Sequence, residues 1–151
     1  MRTRRLLHIP RHWLLPVLLL LTSHLALAQQ TANFGRFELH YSVVNTTFLD
    51  PKIAANYGIT RGKNRAILNL ALREKVGDSS APRAMTIQGS SSDLIHKQDL
   101  VFREIREEAS VYYIAEFTFI NEEWRVFDID FRPEGADTSH TFKFKHQLYS
   151  D

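Results

Sequence analysis

Apolar and polar residues alternate along several stretches of the chain, and most clearly between Leu100 and Pro133. In the middle of this stretch, every second residue from Val111 to Phe119 is apolar or aromatic. Because successive side chains of a β-strand point to opposite faces of the sheet, this alternation predicts a strand with one nearly continuous apolar face. The whole stretch predicts three consecutive strands, and its polar break at residues 121–123 has the length of a hairpin connection.

Four further segments show the same alternation, and we predict strands at residues 35–47, 66–73, 84–89 and 140–149. The segments between them differ in composition. Their glycine, serine and proline content predicts loops at residues 75–83, 89–93 and 133–139. Residues 29–33 form a polar lead-in to the first strand.

A short helix is predicted over residues 51–57. Asp50 is a favourable N-cap residue, Pro51 suits the first helical position, and Gly58 is placed to end the helix. The apolar residues of this segment are placed to close one end of the core, and they are Ile53, Ala54 and Tyr57.

About seven strands, one short helix and several hairpin-length connections are typical of an all-β antiparallel sandwich with immunoglobulin-like architecture. A half-open β-barrel is the alternative, because it is also built from short strands at fairly even spacing. The chain contains no cysteine, so any likeness to an immunoglobulin domain excludes the disulfide.

The N-terminus has the composition of a secretory signal peptide. A basic leader with four arginines and no acidic residue precedes an apolar block at residues 14–21, and Ala26 and Ala28 form a small-x-small cleavage pattern. We predict cleavage after Ala28, which leaves a single domain over residues 29–151. The apolar block is shorter than the roughly 20 residues that span a bilayer, so a transmembrane anchor is the less favoured interpretation.

Removal of the leader changes the charge of the protein. The whole chain has 19 Lys and Arg against 17 Asp and Glu, and the leader contains four of the arginines and none of the acids. The remaining 15 basic and 17 acidic residues give a net charge of −2. The basic character of the precursor therefore does not indicate a nucleic-acid partner.

Several blocks, in order along the chain, resemble those of one family of small secreted bacterial proteins. They are HYSV at 40–43, TFLDP at 47–51, NYGI at 56–59, KNR at 63–65, FREIRE at 102–107, YYIAEF at 112–117, RPEG at 132–135 and QLY at 147–149. This family is known as domain of unknown function 4426, and the likeness covers essentially the whole mature chain. The resemblance implies a periplasmic protein of Gram-negative bacteria with a single all-β domain. It implies no catalytic or binding residue, because none is assigned in the family.

Metal binding and catalysis find little support in the sequence. Glu38 and His40 share a strand face, but a zinc site needs three or four converging ligands, and no second pair has suitable spacing. His140 and His146 are about 20 Å apart on one strand, so one ion cannot use both. We therefore expect no metal and no cofactor.

The sequence signals for nucleophilic and acid–base catalysis are equally weak. The chain has neither a cysteine nor a Gly-x-Ser-x-Gly turn. Asp128 and Asp130 lie about 7 Å apart on one strand face and superficially resemble a glycosidase pair. Acids two residues apart on a strand are more typical of a solvated face, where Lys143 and Lys145 of the last strand can pair with them. We expect no catalytic residue.

The candidate binding site is the basic loop that follows the helix. Arg61, Lys63 and Arg65 bring three cations and a glycine within five residues, which suits a carboxylate, a phosphate or a lipid head group. The competing interpretation is an ordinary solvated loop.

Three functions remain open. The first is a non-enzymatic periplasmic binding or accessory module that holds a protein, a peptide or a small ligand at a sheet edge or a loop end. The second is an enzyme of unrecognised type that acts on an envelope or amino-acid-derived substrate. The third is a structural or stress-related envelope protein.

Overall fold

Two antiparallel sheets face each other in the computed structural model, which describes residues 30–93 and 95–150. The leader predicted over residues 1–28 lies outside the described residues. Within the described part of the chain, no helix has the length and the apolar composition that a membrane crossing requires.

The described residues form ten strands, a six-residue helix α1 and one turn of 3-10 helix. Their bounds are β1 Gln30–Phe34, β2 Phe37–Asn45, the 3-10 turn Thr46–Phe48, α1 Pro51–Asn56, β3 Arg65–Val76, β4 Ser79–Arg83, β5 Met85–Ser92, β6 Lys97–Asp99, β7 Arg103–Glu107, β8 Ser110–Thr118, β9 Glu123–Pro133 and β10 His140–Leu148. The first sheet has the order β1-β2-β3-β8-β7, and β4 extends it beside the second half of β3. The second sheet has the order β10-β9-β5-β6. The prediction of an all-β antiparallel sandwich is confirmed, and the described strands form two sheets rather than a closed barrel.

The main core lies between the sheets and consists of the inward side chains of both. Phe117 of β8 is 2 % exposed, and its ring centroid lies 5.3 Å from that of Phe127 of β9. Phe127 in turn stacks on Phe144 of β10 at 4.8 Å. The alternation that predicted an apolar face on the strand from Val111 to Phe119 therefore identified the inward face correctly.

The predicted hairpin between β8 and β9 is wrong, because these two strands belong to different sheets. After β8, the N–H of Phe119 donates to the carbonyl of Asn64, so the chain still follows the first sheet. It then turns at Glu122, which has a φ of 62°, and pairs with β10 from Glu123 onward. Both strands carry strongly apolar faces, and placing them opposite each other buries both at once.

Three segments predicted to lack strands form them. Residues 30–34 become β1 through a turn at Gly35, which has a φ of 64°. Residues 75–83 form a hairpin between the end of β3 and β4. The serine-rich segment extends β5 to Ser92, and Ser91 is fully buried. These strands were missed because backbone pairing with a neighbour, rather than an apolar side-chain pattern, stabilises them.

The short helix is confirmed, but it does not close one end of the main core as predicted. The Asp50 carboxylate accepts hydrogen bonds from the N–H groups of Lys52 and Ile53 at 2.8 and 3.3 Å. The helix covers the outer face of the first sheet, where Ala54 is buried in a second apolar cluster. Ile53 is 50 % exposed and does not close the main core. The other buried members of this cluster are Ile59, Ile67 and Ile114.

Candidate functional site

The predicted basic loop is tied to the protein by its first arginine. The guanidinium of Arg61 donates to the carbonyl oxygens of Thr46 and Thr47 at 3.3 and 2.8 Å. The N–H of Gly62 donates to the hydroxyl of Thr46, which is fully buried. Arg61 therefore fixes the loop against the turn that follows β2.

The other two cations of the loop point to different surroundings. The guanidinium of Arg65 lies 3.3 Å from the carboxylate of Glu116 and donates to the carbonyl of Thr60 at 3.2 Å. Lys63 is exposed and has no ion-pair partner among the described residues. The fold thus uses two of the three cations as structural donors and leaves Lys63 uncommitted. Anion binding by this loop stays a prediction.

The residues considered for metal binding and catalysis are spread over both sheets. His40 lies 2.7 Å from Glu38 on the outer face of the first sheet. Within residues 30–93 and 95–150, no group of three or more histidine or acidic side chains is arranged to hold a metal ion. The predicted pair of Asp128 and Lys143 forms at 2.8 Å, whereas Lys145 lies over the ring of Trp124.

A more promising site is a cleft of about 560 Å³ where the two sheets open at one end of the sandwich. It lies between the start of β5, the end of β9, the segment that follows β9 and the edge strand β7. Five charged side chains line it, and they are Glu104, Arg106, Arg132, Glu134 and Asp137. We call this site the Glu104 cleft.

A buried tyrosine holds the Glu104 carboxylate in place. The Tyr113 hydroxyl, on a residue that is 3 % exposed, donates to Glu104 at 2.8 Å and accepts from the N–H of Met85 at 2.9 Å. Arg106 Nε donates to the other carboxylate oxygen at 2.6 Å. One short network therefore joins both sheets across the cleft.

The network favours binding over proton transfer. The hydrogen bonds from Tyr113 and Arg106 hold the pKa of Glu104 below its ordinary value. Burial, followed by the adjacent carboxylate, raises the pKa of Tyr113 to about 12. Glu104 is therefore ionised and Tyr113 neutral at neutral pH, whereas a general acid or base works best with a pKa near the working pH.

The remaining charges of the cleft are available to a ligand. Arg132 is exposed and has no ion-pair partner among the described residues, and Glu134 and Asp137 follow it in the segment between β9 and β10. Since Glu104 and Arg106 neutralise each other, one cation and two carboxylates remain. This arrangement suits a ligand that carries both signs of charge.

The charged residues of the cleft that precede Tyr113 lie on β7, which forms an edge of the first sheet. The connection to Tyr113 was missed because the tyrosine lies on the inward, apolar face of β8. A buried tyrosine hydroxyl needs a hydrogen-bond partner, and that requirement was the available signal.

The architecture defines this chain as an antiparallel β-sandwich protein with a charged cleft at one end. Residues 31–151 match the family described as Domain of unknown function (DUF4426), and the chain belongs to that family. The predicted family resemblance is thereby confirmed. No protein of curated function matches the chain.

Solved structures with the same fold include a DUF4426 family protein from Pseudomonas aeruginosa PAO1. It is 32 % identical over 82 % of this chain and 96 % of its own, with a TM-score of 0.70. A copper-bound variant of FetP from uropathogenic Escherichia coli is similar at 11 % identity and a TM-score of 0.58, over 82 % of this chain and 96 % of its own. FetP as isolated gives 10 % identity and a TM-score of 0.56, over 81 % and 94 %. At such identities the likeness to FetP concerns the fold alone.

Proposed function

We propose that this protein is a non-enzymatic binding module of the periplasm and that the Glu104 cleft holds a small ligand bearing both a carboxylate and a cation. The observation that carries the proposal is the gathering of two guanidiniums and three carboxylates around one cleft of about 560 Å³. Free amino acids, short peptides and related zwitterions have this chemistry.

Each charged group has a role that its position suggests. The planar guanidinium of Arg132 matches a ligand carboxylate, which it can bind through two parallel hydrogen bonds. Glu134 and Asp137 offer their carboxylates to the cationic group of the same ligand. Glu104 and Arg106 pair with each other along one wall of the cleft. Because the Tyr113 hydroxyl already holds the Glu104 side chain in place, little conformational entropy is lost there on binding.

A ligand series that removes one charge at a time tests the proposal. A dipeptide with free termini is compared by calorimetry with its N-acetylated and its C-amidated forms, and a panel of free amino acids extends the series. We expect the loss of either charge to weaken binding about tenfold or more, as for other hydrogen bonds to charged groups. Equal affinity for the three dipeptide forms would contradict an ionic cleft.

Two variants locate the site. Arg132→Gln should weaken binding of the free dipeptide by about tenfold or more, since it removes the uncommitted guanidinium. Lys52→Gln is the matched control, because it removes an exposed cation on helix α1 at the outer face of the first sheet. Equal affinity of Arg132→Gln and the parent would place binding elsewhere.

The periplasmic location is a part of this proposal that has its own test. The first described strand begins at Gln30, so cleavage after Ala28 would leave every described strand intact. Fractionation of the cells and N-terminal sequencing should find a soluble chain that starts at Gln29. A chain that starts at Met1 in the membrane fraction would contradict the location.

A further inference from the structure

Exposed apolar side chains gather at the end of the sandwich opposite the Glu104 cleft. Five large apolar residues there are at least half exposed, and they are Phe48 at 67 %, Ile95 at 84 %, Ile120 at 73 %, Trp124 at 50 % and Tyr149 at 55 %. We call this group the apolar end. Such side chains are individually common on protein surfaces, but their concentration at one place calls for a partner.

Hydrogen bonds and strand pairing place these residues at one end. The carbonyl of Tyr149 accepts from the side chain of Asn45, which ends β2 just before the turn that bears Phe48. The N–H of Ser150 donates to Asn121, which lies between Ile120 and the start of β9. The last residue of β5 pairs near the start of β9, so the turn that bears Ile95 leaves the sheet at the same end.

Two lysines lie near the apolar side chains, and two of the nearby acids, Glu123 and Asp93, are already engaged, whereas Glu122 is exposed. Lys145 lies 4.5 Å from the ring centroid of Trp124. Lys63 lies in the basic loop, which Arg61 joins by hydrogen bonds to the turn that bears Phe48. Glu123 is nearly buried and lies 3.2 Å from Arg125. Asp93 accepts hydrogen bonds from two N–H groups of its own turn.

We propose that the apolar end docks reversibly on a lipid bilayer whose surface carries anionic head groups. Tryptophan and tyrosine favour the membrane–water interface, and lysines near the surface are attracted to anionic lipid. The five apolar side chains project from four separate segments, which suits insertion as separate tips into a fluid surface. Docking of this kind is reversible and differs from an anchor, so it is compatible with the predicted loss of the leader.

The proposed orientation leaves the Glu104 cleft open to solution. Strand β9 begins at the apolar end with Glu123 and finishes at the cleft with Pro133. Its 11 residues span about 33 Å at about 3.3 Å per residue. A protein docked through the apolar end would therefore present the cleft to the aqueous space at that distance from the membrane.

Trp124 supplies the probe for a direct test. The chain has two tryptophans, and the other, Trp13, lies in the predicted leader. Both sheets and both apolar clusters lie within residues 30–150, so the chain that starts at Gln29 keeps the described fold and has Trp124 as its single tryptophan. Its fluorescence and its sedimentation are followed with vesicles of phosphatidylcholine alone and of equal parts phosphatidylcholine and phosphatidylglycerol.

We expect the anionic vesicles to shift the Trp124 emission to shorter wavelength and to sediment the protein, and added salt to weaken both effects. Ile120→Ser should reduce the partition coefficient about tenfold, because an exposed apolar side chain no longer enters the interface. Lys63→Gln should reduce it about fivefold on anionic vesicles and leave binding to neutral vesicles unchanged. Val76→Ser is the matched control, since Val76 is 58 % exposed at the far end of β3.

Three results would overturn the proposal. The first is no emission shift and no sedimentation with the anionic vesicles. The second is an equal loss of binding in Val76→Ser and Ile120→Ser, which would show that the apolar end is not the docking surface. The third is a dimer in sedimentation velocity that Ile120→Ser dissociates, together with an emission that vesicles leave unchanged. That result would assign the apolar end to contact between two copies of the chain. Circular dichroism and melting curves of each variant confirm that the fold is retained.

Discussion

Replacement of Tyr113 by phenylalanine tests the network that shapes the Glu104 cleft. The substitution removes one hydroxyl and keeps the aromatic ring in the core. That hydroxyl accepts the N–H of Met85 at 2.9 Å and donates to Glu104 at 2.8 Å. Met85 is 6 % exposed, so its N–H loses its partner in a place that water hardly reaches.

The expected cost combines two contributions. A buried donor left without a partner costs about 1–3 kcal/mol. A hydrogen bond to a charged group contributes about 1.5–3 kcal/mol, but the Glu104 side chain is 36 % exposed, so solvent reduces this second part. We therefore expect Tyr113→Phe to lower the free energy of unfolding by about 2–4 kcal/mol at neutral pH.

The cost should also depend on pH. The Tyr113 hydroxyl is the main cause of the lowered pKa of Glu104. A carboxyl whose pKa is lower in the folded state stabilises the fold above its unfolded pKa, and this contribution disappears as the pH falls through the folded pKa. The difference between parent and variant should thus be full at neutral pH and decrease as the pH falls below about 4.

Urea unfolding at neutral pH and at a pH below about 4 measures the loss of unfolding free energy in Tyr113→Phe. Tyr112→Phe is the control. Tyr112 is the next residue on β8, points to the other face and makes no hydroxyl hydrogen bond among the described residues. Removal of the Tyr112 hydroxyl should lower the free energy of unfolding by less than about 0.5 kcal/mol. A cost below about 1 kcal/mol for Tyr113→Phe, or one that is the same at both pH values, would refute the network as described.

Three further predictions concern the core, the loop and the half-buried His146. Phe117→Ala should cost about 3–5 kcal/mol in urea unfolding, since it leaves a cavity between the sheets, and a cost under about 1 kcal/mol would contradict its inward position. Arg61→Ala should lower the melting temperature because two carbonyls lose their donor, whereas Lys63→Ala should leave it unchanged, and equal shifts would be inconsistent with the loop geometry. Burial lowers the pKa of His146, so folding stability should fall as the pH drops below about 6.5, and His146→Gln should reduce that fall in a pH series of melting curves. An unchanged pH dependence in that variant would show that another group is responsible.

The pattern of side chains along the chain determined the faces of the strands and the short helix. Alternation along β8 identified Phe117 as an inward residue, because the two-residue period of a strand is a local property of the backbone. Asp50 and Pro51 identified the start of α1 for the same reason, since capping involves only neighbouring residues. The family was recognisable from the sequence because its blocks lie in order along the whole mature chain.

Only the tertiary structure decided which strands pair and where polar side chains meet. The segment between β8 and β9 has the length of a hairpin connection, but strand pairing depends on partners that are distant in sequence. These two strands lie in opposite sheets, where both of their apolar faces are buried. The sequence places Arg61 and Arg65 in one basic loop, but it does not show which carbonyls and carboxylates the folded loop brings to them. The Glu104 cleft depends in the same way on a hydroxyl nine residues along the chain that reaches it only after β7 and β8 have paired.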